Sequence, residues 1–226
     1  MAELDPQTSW AFLDRTFAGI WPNRGADPLI IPWPTRNRPA SLLQFHEPST
    51  WIAFIAERSL TSEIPHIVSA KFQRAQKLYA LAWFDYDLIK VGELVALTAL
   101  ELALRDRYGG RLADPGKKPP MLHLLLRYMV EKDGVTDATL PFVERYGGSV
   151  LPHLYETDAT VAARRRTGSP AQTTLAGIRN SLAHGDPFDG FPWSGLLELV
   201  RDLIHYAYCG YLAEAKGTSG FSPGVP

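Results

Sequence analysis

The sequence predicts an all-α protein, a bundle of four to five helices preceded by an irregular N-terminal arm rich in Pro and Trp. Three observations carry this expectation. From about residue 66 onward, apolar residues recur at helical spacing in long runs. Strand alternation and hairpin signals are absent from that stretch. Before it, prolines break the chain so often that no long helix fits. The first 65 residues hold eight of the 18 prolines and four of the six tryptophans, and each proline removes a backbone donor and restricts its predecessor.

The arm, residues 1–65, is expected to lie against the body with Trp10, Trp21, Trp33 and Trp51 as packing anchors. Short helices are expected near 8–18 and 49–59. The body, residues 66–215, opens with a helix over 69–84 capped by Ser69, with Phe72, Ala75, Leu78, Tyr79 and Ala82 at helical spacing. A second helix covers 86–108 and stops at Gly109-Gly110. Its stretch from Leu94 to Leu104 is apolar nearly all round, the mark of a central buried helix. Pro119-Pro120 opens a third, from Met121 to about Lys132. A connector with a short helix near 137–146 leads to Arg164-Arg165-Arg166, placed on or beside a loop. Ser169 as N-cap, Pro170 in the first turn and Gln172 completing a capping box start a fourth helix, which ends at Gly185-Asp186-Pro187. The last helix runs from about Trp193 to Ala215, and 216–226 reads as a flexible Gly/Ser/Pro tail.

Composition narrows the function. A formal net charge of −1 gives no general attraction to polyanions, so RNA or membrane would need a local basic patch. Residues 101–185 carry twelve Lys and Arg against nine acidic residues, which marks where to look. The lone Cys209 excludes a disulfide scaffold and a Cys-rich zinc module, and beside an apolar helix face it reads as a buried inert thiol. No apolar run reaches the roughly 18 residues that span a bilayer, and the acidic start is unlike a secretory signal. The expectation is a cytoplasmic protein without membrane contact. Walker and dinucleotide glycine loops and a His-Glu-x-x-His pair are absent, so neither a cofactor nor a metal is expected. His184, Asp186 and Asp189 are better read as a solvated turn than as metal ligands, and Asp85 and Asp87 as capping a helix junction.

One segment stands apart, Gly177-Ile-Arg-Asn-Ser-Leu-Ala-His-Gly185, at the end of the fourth helix. Arg179 is followed by Asn180, and His184 stands five positions after Arg179. This resembles the Arg-x(4–6)-His signature of the HEPN superfamily, helical bundles of four or five helices. The motif resemblance covers 177–185, and the architectural one about 69–215. Leu97-Thr-Ala-Leu-Glu-Leu-Ala-Leu-Arg105 on the second helix is also similar to the Glu-containing helix of several such families.

The resemblance implies a metal-independent endoribonuclease that works as a homodimer with a composite cleft, in a toxin–antitoxin or antiviral defence setting, with an antitoxin or partner protein as a further contact. It implies attack of an RNA 2′-hydroxyl on the adjacent phosphate, leaving a 2′,3′-cyclic phosphate and a 5′-hydroxyl. His184 would move the protons and Arg179 would stabilise the phosphoryl oxygens, with Asn180 bonding phosphate or orienting His184.

Glu101, a carboxylate on an apolar helix, needs a buried partner. Arg179 is the candidate, which gives Glu101 a supporting role, and Glu93 is expected to reach a base such as Arg127. Arg164, Arg165 and Arg166 are the natural RNA-backbone patch, with Lys117, Lys118 and Arg111 as additions. Five residues along a straight helix rotate a side chain about 140° past a full turn. Arg179 and His184 can therefore converge only if the last turn unwinds at Gly185 or if a second copy supplies the motif. The alternative reading is a non-catalytic HEPN-like module that binds a partner protein or a nucleotide, with the arm as its contact surface. A third is a regulatory domain for a separate nuclease or nucleotidyltransferase.

Overall fold

The computed structural model describes residues 21, 24–113, 116, 118–168, 170, 173–185 and 191–218, with side chains up to Cys209. Helices make up 61% of the structure and the only sheet among the described residues has two strands, so the protein is all-α at the coarse level. The helix expected at 8–18 lies outside the described residues.

The arm is not wholly irregular. Strands β1 (Leu29–Pro32) and β2 (Leu42–Phe45) pair antiparallel, with Leu29 opposite Phe45 and Ile31 opposite Leu43. Leu29 and Ile31 are buried while Ile30 is exposed, an alternation too short to stand out among Pro28, Pro32 and Pro34. Helix α1 (Pro48–Ala56) follows, close to the expected 49–59, with Pro in its first turn. Trp51 is fully buried, and its indole N–H donates to the carbonyls of Tyr79 and Ala80 at 3.0 and 3.1 Å. Trp33 is equally buried beneath the hairpin, its indole directed to the Tyr146 hydroxyl at 3.4 Å.

Helix α2 (His66–Leu81) begins three residues before Ser69, because Pro65 takes the cap position and its carbonyl accepts from Val68 and Ser69. Helix α3 (Leu88–Leu112) is the central element, buried from Ile89 to Tyr108 along one face. It packs against α2 so closely that a Cβ on Gly92 would stand 2.6 Å from the Tyr79 ring. It also runs through Gly109-Gly110 rather than stopping there. The final turn is held from outside, by the buried Tyr108 hydroxyl donating to Asp133 at 2.5 Å and by Arg111 donating to the Tyr128 hydroxyl, and these anchors override the helix penalty of two glycines.

Helix α4 (Leu122–Glu131) matches the expected third helix. A 3-10 turn at Asp137–Thr139 leads to the short helices α5 (Pro141–Tyr146) and α6 (Leu151–Leu154). The arginine run does not lie on a loop. It forms the last turn of α7 (Asp158–Thr167), where positive charge suits the carbonyl end of a helix. Helix α8 (Leu175–His184) starts later than expected. Ser169 and Gln172 fall outside the described residues, Pro170 precedes the helix, and the cap is Thr174, whose hydroxyl accepts from Gly177 N–H at 3.1 Å. Helix α9 (Leu196–Thr218) runs into the stretch expected to be tail, and 219–226 lie outside the described residues. Leu196, Leu197, Val200, Leu203, Ile204, Ala207 and Tyr208 all face the core.

Arm and body share one core, closed by a buried ionic cluster. Glu198 and Asp202 on α9 receive Arg58 from the arm at 3.0 Å, Arg145 from α5 at 2.8 and 2.5 Å, and the neighbouring Arg201 at 3.3 and 2.8 Å. Tyr146 adds a hydroxyl donated to Glu198 at 2.9 Å. Cys209 is exposed, contrary to its reading as a buried thiol. No described helix is long and apolar enough to cross a membrane.

Candidate functional site: an arginine seat on the central helix

Helix α8 lies against α3, which brings Arg179 to Glu101. The Arg179 Nη2 stands 3.1 Å from Glu101 Oε2, the pairing expected from the apolar surroundings of that carboxylate. Glu101 is only 5% exposed and also holds a second cation, Arg105 at 2.5 Å, which was missed in the sequence although it stands one helical turn further along α3. Arg105 is fixed in turn by the carbonyl of Pro120 at 3.2 Å. One carboxylate therefore serves two guanidinium groups, and the seat keeps a net positive charge.

Arg179 is not fully satisfied. Its Nη1 reaches the Asn180 carboxamide oxygen at 3.3 Å, but its Nε is buried without a hydrogen-bond partner among the described residues. A buried unpaired donor costs about 1–3 kcal/mol. Beside it is a hollow of about 30 Å³, lined by Glu101, Met121, Leu122, His123, Ala176, Arg179 and Asn180. That volume admits a single oxygen-sized atom. His123 was not among the candidates from the sequence. It stands alone there, and only the fold of α4 onto the α3–α8 pair carries it to the hollow.

His184 lies elsewhere. Helix α8 stays helical through His184, and Gly185 then turns left-handed at φ 68°, its N–H donating to the Ser181 carbonyl. The side chain is exposed. With no unwinding of the last turn, the helical rotation of about 140° separates Arg179, turned to α3, from His184 at the helix end. One protomer does not bring the two together.

The remaining candidates divide. Arg164 is committed to Glu156, at 2.8 and 3.3 Å, whereas Arg165 and Arg166 are exposed. Arg111 is exposed and tied to Tyr128, and Lys117 lies outside the described residues. Glu93 does not meet Arg127. It is fully buried, takes Lys90 at 3.6 Å and accepts from the Trp193 N–H, while Arg127 pairs with Glu131 at 3.0 Å. Asp85 accepts from Asp87 N–H at 3.1 Å, a local turn before α3. Asp186 and Asp189 lie outside the described residues, and no group of three potential metal ligands occurs among those described. No family model, curated protein or solved structure matches this chain.

Proposed function

We propose that the protein is a metal-independent endoribonuclease of HEPN type, with the Arg179 seat as its phosphate contact. The observation that carries this reading is the buried Arg179 Nε, without a hydrogen-bond partner among the described residues, beside a hollow the size of one oxygen atom, on a guanidinium held by Glu101. A phosphoryl oxygen is the acceptor such a donor lacks, and charge-assisted bonds to it strengthen as negative charge builds in the transition state.

The reaction needs two proton carriers. One imidazole takes the proton of the 2′-hydroxyl as its oxygen bonds to phosphorus. A protonated imidazole gives one to the 5′-oxygen as the P–O5′ bond breaks, leaving a 2′,3′-cyclic phosphate and a 5′-hydroxyl. Since His184 and Arg179 of one α8 diverge, two copies meeting at their α8 ends supply the pair across a composite cleft. Arg165 and Arg166 serve the RNA backbone.

His123 supports a second assignment of the proton-transfer role, because it lines the same hollow as Arg179 within one protomer. The test is cleavage of mixed tRNA and mRNA in EDTA, with the product ends identified. His184→Ala is expected to abolish formation of cyclic phosphate while His123→Ala retains most of it. The reverse pattern assigns the 2′-hydroxyl proton to His123, beside Arg179 in the same protomer, with water protonating the departing 5′-oxygen. Absence of cleavage by folded protein over a broad RNA panel refutes the nuclease reading.

A further inference from the structure

A cleft of about 670 Å³ lies away from the arginine seat, where the hairpin turn, the α5–α6 junction and the segment before α9 meet. Its walls are aromatic and proline-rich, with Phe142, Tyr146 and Trp193 facing Pro34, Pro39 and Pro192. Its polar side chains are few: the Asn37 carboxamide, the hydroxyls of Ser149 and Ser194, and the His153 ring. Among the described lining residues there is no Lys, Arg, Asp or Glu.

The walls are set in advance. Trp193 is clamped by its backbone N–H donating to the buried Glu93 and by the His153 ring, edge-on at 4.8 Å between centroids. The neighbouring Phe191 carbonyl accepts from Lys90 at 3.0 Å. Asn37 is the only described non-glycine residue at positive φ, 61°, and its N–H donates to the Tyr146 carbonyl at 3.0 Å. Gly147, at φ 76°, lies so close that a Cβ there would stand 3.0 Å from the Asn37 carboxamide oxygen. The strained residue and the glycine together place a carboxamide on the rim of an aromatic slot.

We propose that this cleft binds a nucleobase. A flat, neutral heteroaromatic ring matches the aromatic walls. The carboxamide, with one acceptor and two donors, matches the paired donor and acceptor of a base edge, adenine best of all. With no Lys or Arg among the described lining residues, the slot offers the phosphate no ion pair of that kind and leaves it at the mouth. Ordinary ligand clefts span about 300–1,000 Å³, and base-on-aromatic stacking contributes about 1–3 kcal/mol per base. The cleft also touches the segment entering α8, because His153 Nδ1 stands 2.9 Å from the carbonyl of Thr173, the residue before the Thr174 cap. The inference needs no ribonuclease activity.

The test is a saturation-transfer NMR titration of the full chain with adenosine, with a tetranucleotide of deoxyadenosine that cannot be cleaved, and with a Pro-Trp-Pro peptide. The expected result is transfer to the base protons of adenosine. Affinity should fall at least tenfold in Ser149→Phe, which fills the slot from an exposed position, with the unfolding temperature unchanged. Asn37→Asp, which keeps the left-handed tolerance but loses the amide donor, should also weaken binding. Tighter binding of the tetranucleotide assigns the base to a strand, and equal binding assigns it to a free nucleoside. His184→Ala should bind adenosine as the unaltered chain does, whether or not it cleaves RNA, which separates this inference from the nuclease reading. No transfer at millimolar adenosine or tetranucleotide, undiminished binding in Ser149→Phe, or binding of the peptide alone overturns it.

Discussion

Glu101 is the residue through which stability and chemistry meet. It is nearly buried and shared by two arginines, but Arg105 is about 40% and Arg179 about 30% exposed at the side chain, so solvent weakens both pairs. Glu101→Gln should therefore cost only about 1–2 kcal/mol, about 1 for each solvent-weakened pair, measured by urea unfolding, while releasing Arg179 and lowering cleavage far more than that loss of folded protein explains. His184 is exposed and should contribute less than about 0.5 kcal/mol to stability. His184→Ala then separates function from folding cleanly.

His205 behaves differently. Burial, reinforced by Arg201 and opposed by Asp202, lowers its pKa below the ordinary histidine value, and its Nε2 accepts from the Thr61 N–H at 3.2 Å. The unfolded chain therefore binds the proton more readily than the folded one, and stability falls as pH drops through the ordinary histidine range near 6.5. The gap in unfolding temperature between pH 7.0 and 5.5 should shrink in His205→Gln.

At the scale of elements, α8 depends on a cap and a stop. Thr174→Ala removes the hydroxyl that accepts from Gly177 and should cost about 1 kcal/mol, a fall of about 2–4 °C in unfolding temperature for a chain of this size. The stop at Gly185 was readable in the sequence. The start was not, because Ser169, Pro170 and Gln172 imitate a capping box five residues early, and Thr174 wins by standing where the apolar face of Leu175, Ala176 and Ile178 begins to be buried.

The same competition explains α3. Gly109-Gly110 is a local stop signal, and the tertiary anchors on Tyr108 and Arg111 override it. Gly92, deep in the same helix, has a packing reason that periodicity does not reveal. Gly92→Ala would drive a methyl group into Tyr79, and a destabilisation of about 1–3 kcal/mol is expected in thermal unfolding.

At the scale of the molecule, the arm is part of the core. Trp51 fills space against α2, and Arg58 reaches Glu198 on α9, so Trp51→Ala should cost about 3–5 kcal/mol. The burial of Trp33 and Trp51 and the central α3 were legible from composition and apolar spacing. The hairpin was hidden by its prolines. The Glu101–Arg179 pair was legible because a lone carboxylate on an apolar helix demands a cation. Arg105 and His123 were not recognised, because Arg105 shares a carboxylate already assigned and His123 reaches the hollow through tertiary packing alone. The divergence of Arg179 and His184 along an unbroken helix makes the proposed two-imidazole site depend on a second copy.

The most direct test is RNA cleavage in EDTA by Arg179→Ala beside the unaltered chain, with unfolding followed on the same samples. Glu101 keeps Arg105 when Arg179 is removed, so the fold should survive with only a small loss of stability. Cleavage should fall by at least about a hundredfold, as on loss of a transition-state donor. Unchanged cleavage by Arg179→Ala would show that the seat only packs α8 against α3.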